Sequence, residues 1–260
     1  MSIAAFVNRS KRLSAAQAGF IVAALQDQRN DLATAWGDPQ ATADVGGPAE
    51  IMTPMLFRDE NRLPEGCYPM VFVDTPDLAG ALGYHSVDEG GKYYARIFVE
   101  LLLARGTWNT QVSGCASHEY LETCLNATGM IGIVGPRRAE GSRYQREASD
   151  PVQGDLYVKR TQFSGRFENV GVSNFVLPDY FRASVKDGDR VDFMGTCPGP
   201  FKLAPGGYCL VGDGVSIPSP VYASKAPPVD VLAYKEHGYR WKGGHWKTAE
   251  RPRFLPRSGR

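Results

Sequence analysis

Apolar positions recur with strand and helix periods through the first half of the chain, and in short bursts between turn residues through the second. Residues 2–8 (SIAAFVN) form an apolar run of strand length. Ser14 can then cap a helix, with Gln17 three positions on completing a capping box. Ala18, Ile21, Val22, Leu25 and Leu32 follow on roughly one face at helical spacing, until Gly37 and Pro39 end the helix. Residues 38–50 have loop composition, and 51–57 read as a second strand. Residues 69–74 (PMVFVD) predict a buried strand closed by Thr75-Pro76-Asp77, and residues 93–99 (YYARIFV) a further one. Asn109 or Thr110 can cap the next helix, which runs to about Asn126 and stops before Gly129.

Beyond residue 130, glycine and proline punctuate short strands at 155–159, 170–177, 190–194 and 208–211. Asp187-Gly188-Asp189 and Gly212-Asp213-Gly214 read as turns, and the proline spacing at 218–228 as an extended linker. No internal repeat is evident. The pattern predicts an α+β fold: a mixed sheet with an N-terminal helix and a second helix over residues 1–183, a short β-rich extension over 184–232, and a tail over 233–260.

The composition, 43% hydrophobic, 11% aromatic and 22% charged, is that of an ordinary globular protein. A formal charge of +1 gives no global attraction to nucleic acid or membrane. Its distribution changes the picture. From Lys235 onward eight Lys/Arg face Glu236 and Glu250, so that segment is +6 and the remainder −5, with Tyr239, Trp241, Trp246 and Phe254 among the cations. Such a tail suits an acidic partner: a neighbouring copy, another protein or nucleic acid. His237 and His245 within it stand too far from carboxylates to suggest a metal site. No run reaches the ~18–20 apolar residues of a membrane span, and MSIAAFVNRSKRL places apolar residues before charge, the reverse of a secretory signal, so the expectation is a cytoplasmic protein. Cys67, Cys115, Cys124, Cys197 and Cys209 are odd in number and scattered, which predicts free thiols.

Candidate chemistry lies in SHEYLETCLN. His118 and Glu122 are four apart, so a helix places both on one face, one turn apart, where one ion can bind both. Glu119 sits ~100° round the helix, able to reach an attacking water without ligating. This is the logic of H-E-x-x-H with the second histidine replaced by glutamate. Zn²⁺ accepts carboxylate oxygen as well as imidazole nitrogen, so a ligand is preserved. The added charge makes bound water less acidic and shifts preference toward harder divalent ions. Glu147, Asp150 and Asp155 are acidic candidates for a third ligand. The preceding strand–helix–strand–strand–strand order is that of the zincin fold, with the helix where an active-site helix belongs.

Several segments resemble a group of zincin-like, metallopeptidase-type proteins of bacteria and their phages. They are VNRSKRLSAAQ with its LQDQ helix and AWG ending, the GALGYH loop at 80–85, SHEYLE, SDPVQGD, VSNFVLPDYF at 172–181 and LAPGGY at 203–208. Together they span about residues 5–210 in the same order. The resemblance implies a metal, Zn²⁺ or another divalent ion, at His118 and Glu122, with Glu119 as catalytic base. It assigns the acidic third ligand to Asp150. Where the family carries Asp-Pro just after the helix, this chain has Asn126-Ala127.

Two functions of different class follow. The first is a metal-dependent hydrolase acting on a protein or peptide, in which the metal polarises the amide and Glu119 carries the proton to the leaving amine. His85 or Tyr84 of GALGYH, or Tyr180, would then be placed to hydrogen-bond the developing oxyanion. The second is a catalytically inactive structural or adaptor protein of zincin-like fold, such as a virion-associated phage component, joined to its own copies or to virion neighbours through the basic tail.

Overall fold

A computed structural model describes residues 2–78, 81–88, 90–127, 132–135, 143–212, 219–223, 239–242 and 245–248. Strand β1 (Ile3–Asn8) leads through Ser14 into helix α1 (Ala15–Trp36). The predicted capping box is present, Ser14 and Gln17 each accepting the other's backbone N–H, and Gly37 caps the far end. A single helical turn, α2 (Pro39–Thr42), precedes β2 (Thr53–Phe57), β3 (Tyr68–Val73), β4 (Gly83–Val87) and β5 (Tyr93–Phe98). Short helix α3 (Val99–Leu103) and a π-helical turn (Trp108–Val112) lead into α4 (Ser113–Asn126).

These strands form one mixed sheet in the order β2-β1-β3-β5-β4. The β1–β2, β1–β3 and β3–β5 pairs are parallel, and only β4 runs antiparallel, against β5. The central strands are nearly continuous in apolar residues because helices and the opposite layer cover both faces, leaving Ala4, Ala5, Phe6, Met70, Phe72 and Ile97 without solvent contact. The second half is built of antiparallel pairs. Hairpin β8 (Leu156–Phe163) and β9 (Arg166–Ser173) packs on α1, and β9 also lies along α4. A four-stranded sheet has the order β11-β10-β7-β6, from β6 (Gly132–Val134), β7 (Arg143–Gln145), β10 (Tyr208–Gly212) and β11 (Ser219–Tyr222).

The architecture is therefore α+β with a mixed sheet, as the periodicity predicts. One core cluster runs from Ala4 through Trp36, Tyr120 and Phe175 to Val191, Cys197 and Ala204. The first residues of the predicted 184–232 extension thus share the core of the 1–183 body. All five cysteines are free. No helix among the described residues is long and apolar enough to cross a membrane. Of the basic tail at 233–260, the described parts are strands β12 (Tyr239–Lys242) and β13 (His245–Thr248), paired antiparallel; its side chains lie outside the described residues.

Four local expectations are corrected. The GALGYH segment is not all loop, since its end enters β4. The cap before α4 is Thr107, whose extended backbone starts the π turn, rather than Asn109 or Thr110. Residues 190–194 form no strand beyond a single bridge, Val176 to Asp192. There the buried Asp192 carboxylate accepts the backbone N–H of Thr196 (3.1 Å) and of Cys197 (2.9 Å), a local turn that outcompetes strand pairing. Within the predicted linker, residues Ser219–Tyr222 pair with β10; Pro220 is tolerated there because β11 lies at a sheet edge.

Candidate metal centre

Helix α4 is held on two sides by polar contacts, which fixes the direction of the third. Ser117 Oγ donates to Gln28 Oε1 of α1 (2.7 Å) and accepts the Ser173 N–H of β9 (2.8 Å), while Gln28 Nε2 donates to the Ser173 carbonyl (2.9 Å). One turn earlier Ser113 Oγ donates to the Gly171 carbonyl (2.6 Å), and on another face the Tyr120 hydroxyl donates to the Met52 carbonyl (2.8 Å). Every partner is buried and satisfied, so rotation of the helix would break several bonds together. What remains faces a cleft of about 380 Å³, bordered by His118, Glu119 and Glu122 and walled by Leu82, Leu102 and Leu156.

A second segment meets the helix from the C-terminal side. Arg146, 1% exposed, donates from Nε to the Leu125 carbonyl in the last turn of α4 (3.0 Å), and from Nη1 to the carbonyls of Val45 (3.2 Å) and Gly47 (2.6 Å). A cation on helix-terminal carbonyls is favourable in both hydrogen bonding and dipole terms. Its neighbours Glu147 and Asp150 are thereby presented to the face of α4.

His118 Nε2 lies 3.0 Å from Glu122 Oε1 and 3.2 Å from Asp150 Oδ1. The three side chains offer ligand atoms that all lie within 4.8 Å of one another. Despite these short distances, Glu122 Oε1 and Asp150 Oδ1 are buried without a hydrogen-bond partner. Two buried carboxylate oxygens whose shared neighbour is one imidazole nitrogen, with a single N–H between them, fit a divalent cation, and the nitrogen-and-oxygen donor set suits Zn²⁺ or a harder ion. Glu119, adjacent on the helix, is buried and in contact with His85 of β4, whose Nδ1 is 3.2 Å from Glu119 Oε2 and 3.6 Å from Glu122 Oε2.

The electrostatics follow from four carboxylates in a space nearly closed to water. Burial pulls the His118 imidazole toward neutrality, but the charges of Glu122 and Asp150 outweigh it and hold its pKa well above the ordinary value. His85 is likewise raised to about 9: burial opposes, and the contact with Glu119 and the charges of Glu147, Glu119 and Glu122 prevail. Glu122 is pushed well up by burial and by the Asp150 charge, against the pull of His118. Glu147 is raised to about 7 by burial and the charges of Asp150 and Glu119, with His85 opposing. Metal-free, the cluster keeps protons that a cation would displace.

Among the sequence candidates, the structure brings together His118, Glu119, Glu122, Asp150 and Glu147. It does not bring in Asp155, whose carboxylate accepts the Thr196 hydroxyl (2.6 Å). The Tyr84 hydroxyl donates to Asp77 (3.2 Å), and the Tyr180 ring is buried in an aromatic group with Phe181 and Phe201. Arg146 and Asn126 were not legible as site residues; the Asn126 amide donates to Glu147 Oε1 (3.2 Å), so the residue standing where the resembling family has aspartate supports a carboxylate rather than adding one. Comparisons with protein-family models, with curated proteins and with solved structures find no match to this chain.

Proposed function

We propose that this protein is a metal-dependent hydrolase of peptide-type amide bonds, built on a zincin-like scaffold, in which His118, Glu122 and Asp150 hold a divalent ion and Glu119 is the general base. The observation that carries the reading is the convergence of Nε2, Oε1 and Oδ1 of those three ligands beside a cleft, with both oxygens otherwise unpartnered. A bound ion supplies Lewis-acid polarisation of the scissile carbonyl. Glu119 accepts a proton from the attacking water and returns it to the leaving amine, from a position one residue along the helix from a ligand. Strand β4, which among the described residues pairs only with β5 at the end of its sheet, offers an edge along which an extended peptide can lie. The element order and the sequence resemblance support the same scaffold.

The test is elemental analysis together with cleavage of a peptide library followed by mass spectrometry. Wild-type protein should retain at least one Zn²⁺ after dialysis, and His118→Ala should lose it from this position. Glu119→Gln should keep its metal and lose about 10²–10⁴-fold in cleavage rate. A protein that takes up no metal, or a Glu119→Gln variant with undiminished cleavage, overturns the proposal. Metal retained with no cleavage of any peptide would favour the structural or adaptor reading instead.

A further inference from the structure

The Glu122 carboxylate has two faces, and the His118 position uses only one of them. Oε1 looks toward His118 Nε2 at 3.0 Å, and Oε2 toward His85 Nδ1 at 3.6 Å. His85, Glu122 and Glu147 each offer an atom within 4.8 Å of the other two, a second group of three ligands that shares only Glu122 with the first. We propose that His85 and Glu147 bind a second divalent cation beside the first, with Glu122 bridging the two ions. The inference deepens the hydrolase reading and rests on the first position being a metal site.

Glu147 is the independent sign that this half is built for a ligand. It is 6% exposed, its Oε1 is fixed by the Asn126 amide, and its Oε2 is buried with no hydrogen-bond partner. A carboxylate anchored through one oxygen and orphaned at the other is preorganised for a cation. His85 comes from a different element, edge strand β4, and presents Nδ1 to the carboxylates rather than to solvent. In the metal-free cluster that nitrogen donates its N–H to Glu119; an ion held with Glu122 and Glu147 would take the place of the proton on Nδ1 and free the Glu119 oxygen.

The charge of the cluster accommodates two ions. Glu119, Glu122, Glu147 and Asp150 bring four negative charges when ionised, and among the described residues their ion pairs run only to His85 and His118. Arg146, next to Glu147, directs its guanidinium to the carbonyls of Leu125, Val45 and Gly47. One divalent ion leaves His85 as the remaining counter-charge to the carboxylates of this half, whereas a second ion takes that place and coordinates the unpartnered Glu147 oxygen directly. A bridging carboxylate sets two ions roughly 3.5–4 Å apart, the spacing at which a metal pair can act on one substrate. Each ion would have one imidazole and at least two carboxylate oxygens, a set that suits Mn²⁺, Co²⁺ or Zn²⁺.

The experiment counts ions in the full chain. Stripped protein is titrated with Zn²⁺ and freed of excess, and metal per chain is measured by plasma mass spectrometry; a parallel sample loaded with Mn²⁺ is examined by electron paramagnetic resonance. Wild type should hold two Zn²⁺ and show an exchange-coupled Mn²⁺ pair. Glu147→Gln, which keeps the oxygen that accepts from Asn126, should hold one Zn²⁺ and show an uncoupled signal. His85→Ala should do the same, with circular dichroism confirming that each variant is folded. A wild type saturating at one Zn²⁺, with Glu147→Gln unchanged, overturns the pair and leaves the single-ion hydrolase standing. Two ions whose count is insensitive to both substitutions also overturn it, because the second ion then lies elsewhere. A wild type binding none defeats both readings.

Discussion

Arg146 carries a full positive charge into the interior and spends it on backbone. Burial lowers its pKa to about 10, which still leaves it charged at neutral pH. Besides the carbonyls of Leu125, Val45 and Gly47 it lies over the Trp36 ring at 5.4 Å, so one side chain ties the end of α4, the turn at 45–47 and the end of α1 to the segment bearing Glu147 and Asp150. Replacing it by methionine keeps most of the apolar stem and removes every donor. We expect Arg146→Met to cost about 3–5 kcal/mol in urea unfolding, since buried carbonyls lose their partner. Zn²⁺ affinity should fall about 10–100-fold as Glu147 and Asp150 lose their anchor. A loss under about 0.5 kcal/mol, the range of an ordinary surface change, would refute the anchoring role. Nothing in the sequence marked this residue, because arginine is ordinarily exposed and its hydrogen-bond partners here lie 21 to 101 positions away in the chain. His118, Glu119 and Glu122 were legible because their relation is local: a helix turns spacing into a shared face. Asp150 was one of three acidic candidates by spacing and was singled out only by family resemblance, since a loop has no period from which to read direction.

At the level of elements, the site is the meeting of α4 with β4, and a glycine makes that meeting possible. A Cβ on Gly83 would stand 2.6 Å from Cys115 Sγ and 3.0 Å from both the Arg96 carbonyl and Glu119 Oε1. The requirement is for close approach rather than for unusual backbone angles. Gly83→Ala should therefore push the strand off the helix, costing about 1–3 kcal/mol by thermal or urea unfolding. Because His85 lies two residues along, the contact between His85 and Glu119 should be lost with it. The checking measurement is the His85 imidazole pKa by NMR in metal-free protein, expected to fall from its raised value toward about 6.5, the unperturbed value. An unchanged pKa in a stable variant would show that β4 does not depend on this contact. The strand was hidden in sequence by the same glycine, which in GALGYH reads as loop, whereas β1, β3 and β5 declared themselves by buried apolar runs. The π turn before α4 was equally hidden: Trp108–Val112 satisfies helical composition, and the extra residue per turn leaves no compositional trace.

At the scale of the molecule, a group of carboxylates sits beside the main apolar core, and the fold must hold either protons or metal there. The sign of the resulting pH dependence can be worked out group by group. His85 has an ordinary pKa of 6.5 and about 9 in the fold, so its contribution to stability is complete below 6.5 and disappears as pH rises through 9. Glu147 moves from 4.5 to about 7, so the folded state again binds the proton more tightly, and its contribution fades as pH rises from 4.5 through 7. His118 and Glu122 are raised in the same direction. The metal-free protein should thus lose stability steadily between about pH 5 and pH 9, whereas ions that need deprotonated ligands bind more tightly over that interval. Thermal melts with and without a chelator should coincide most closely near about pH 5 and separate as pH rises. With Zn²⁺ at about 1,000 times its Kd, the separation should reach roughly 10 °C, from about 4 kcal/mol of binding linkage spread over a chain of this size. Chelation that leaves the melting temperature unmoved at every pH would show that the cluster is held by protons alone. A metal-free protein that grows more stable toward pH 9 would show that the buried carboxylates are ionised and compensated by groups other than His85 and His118.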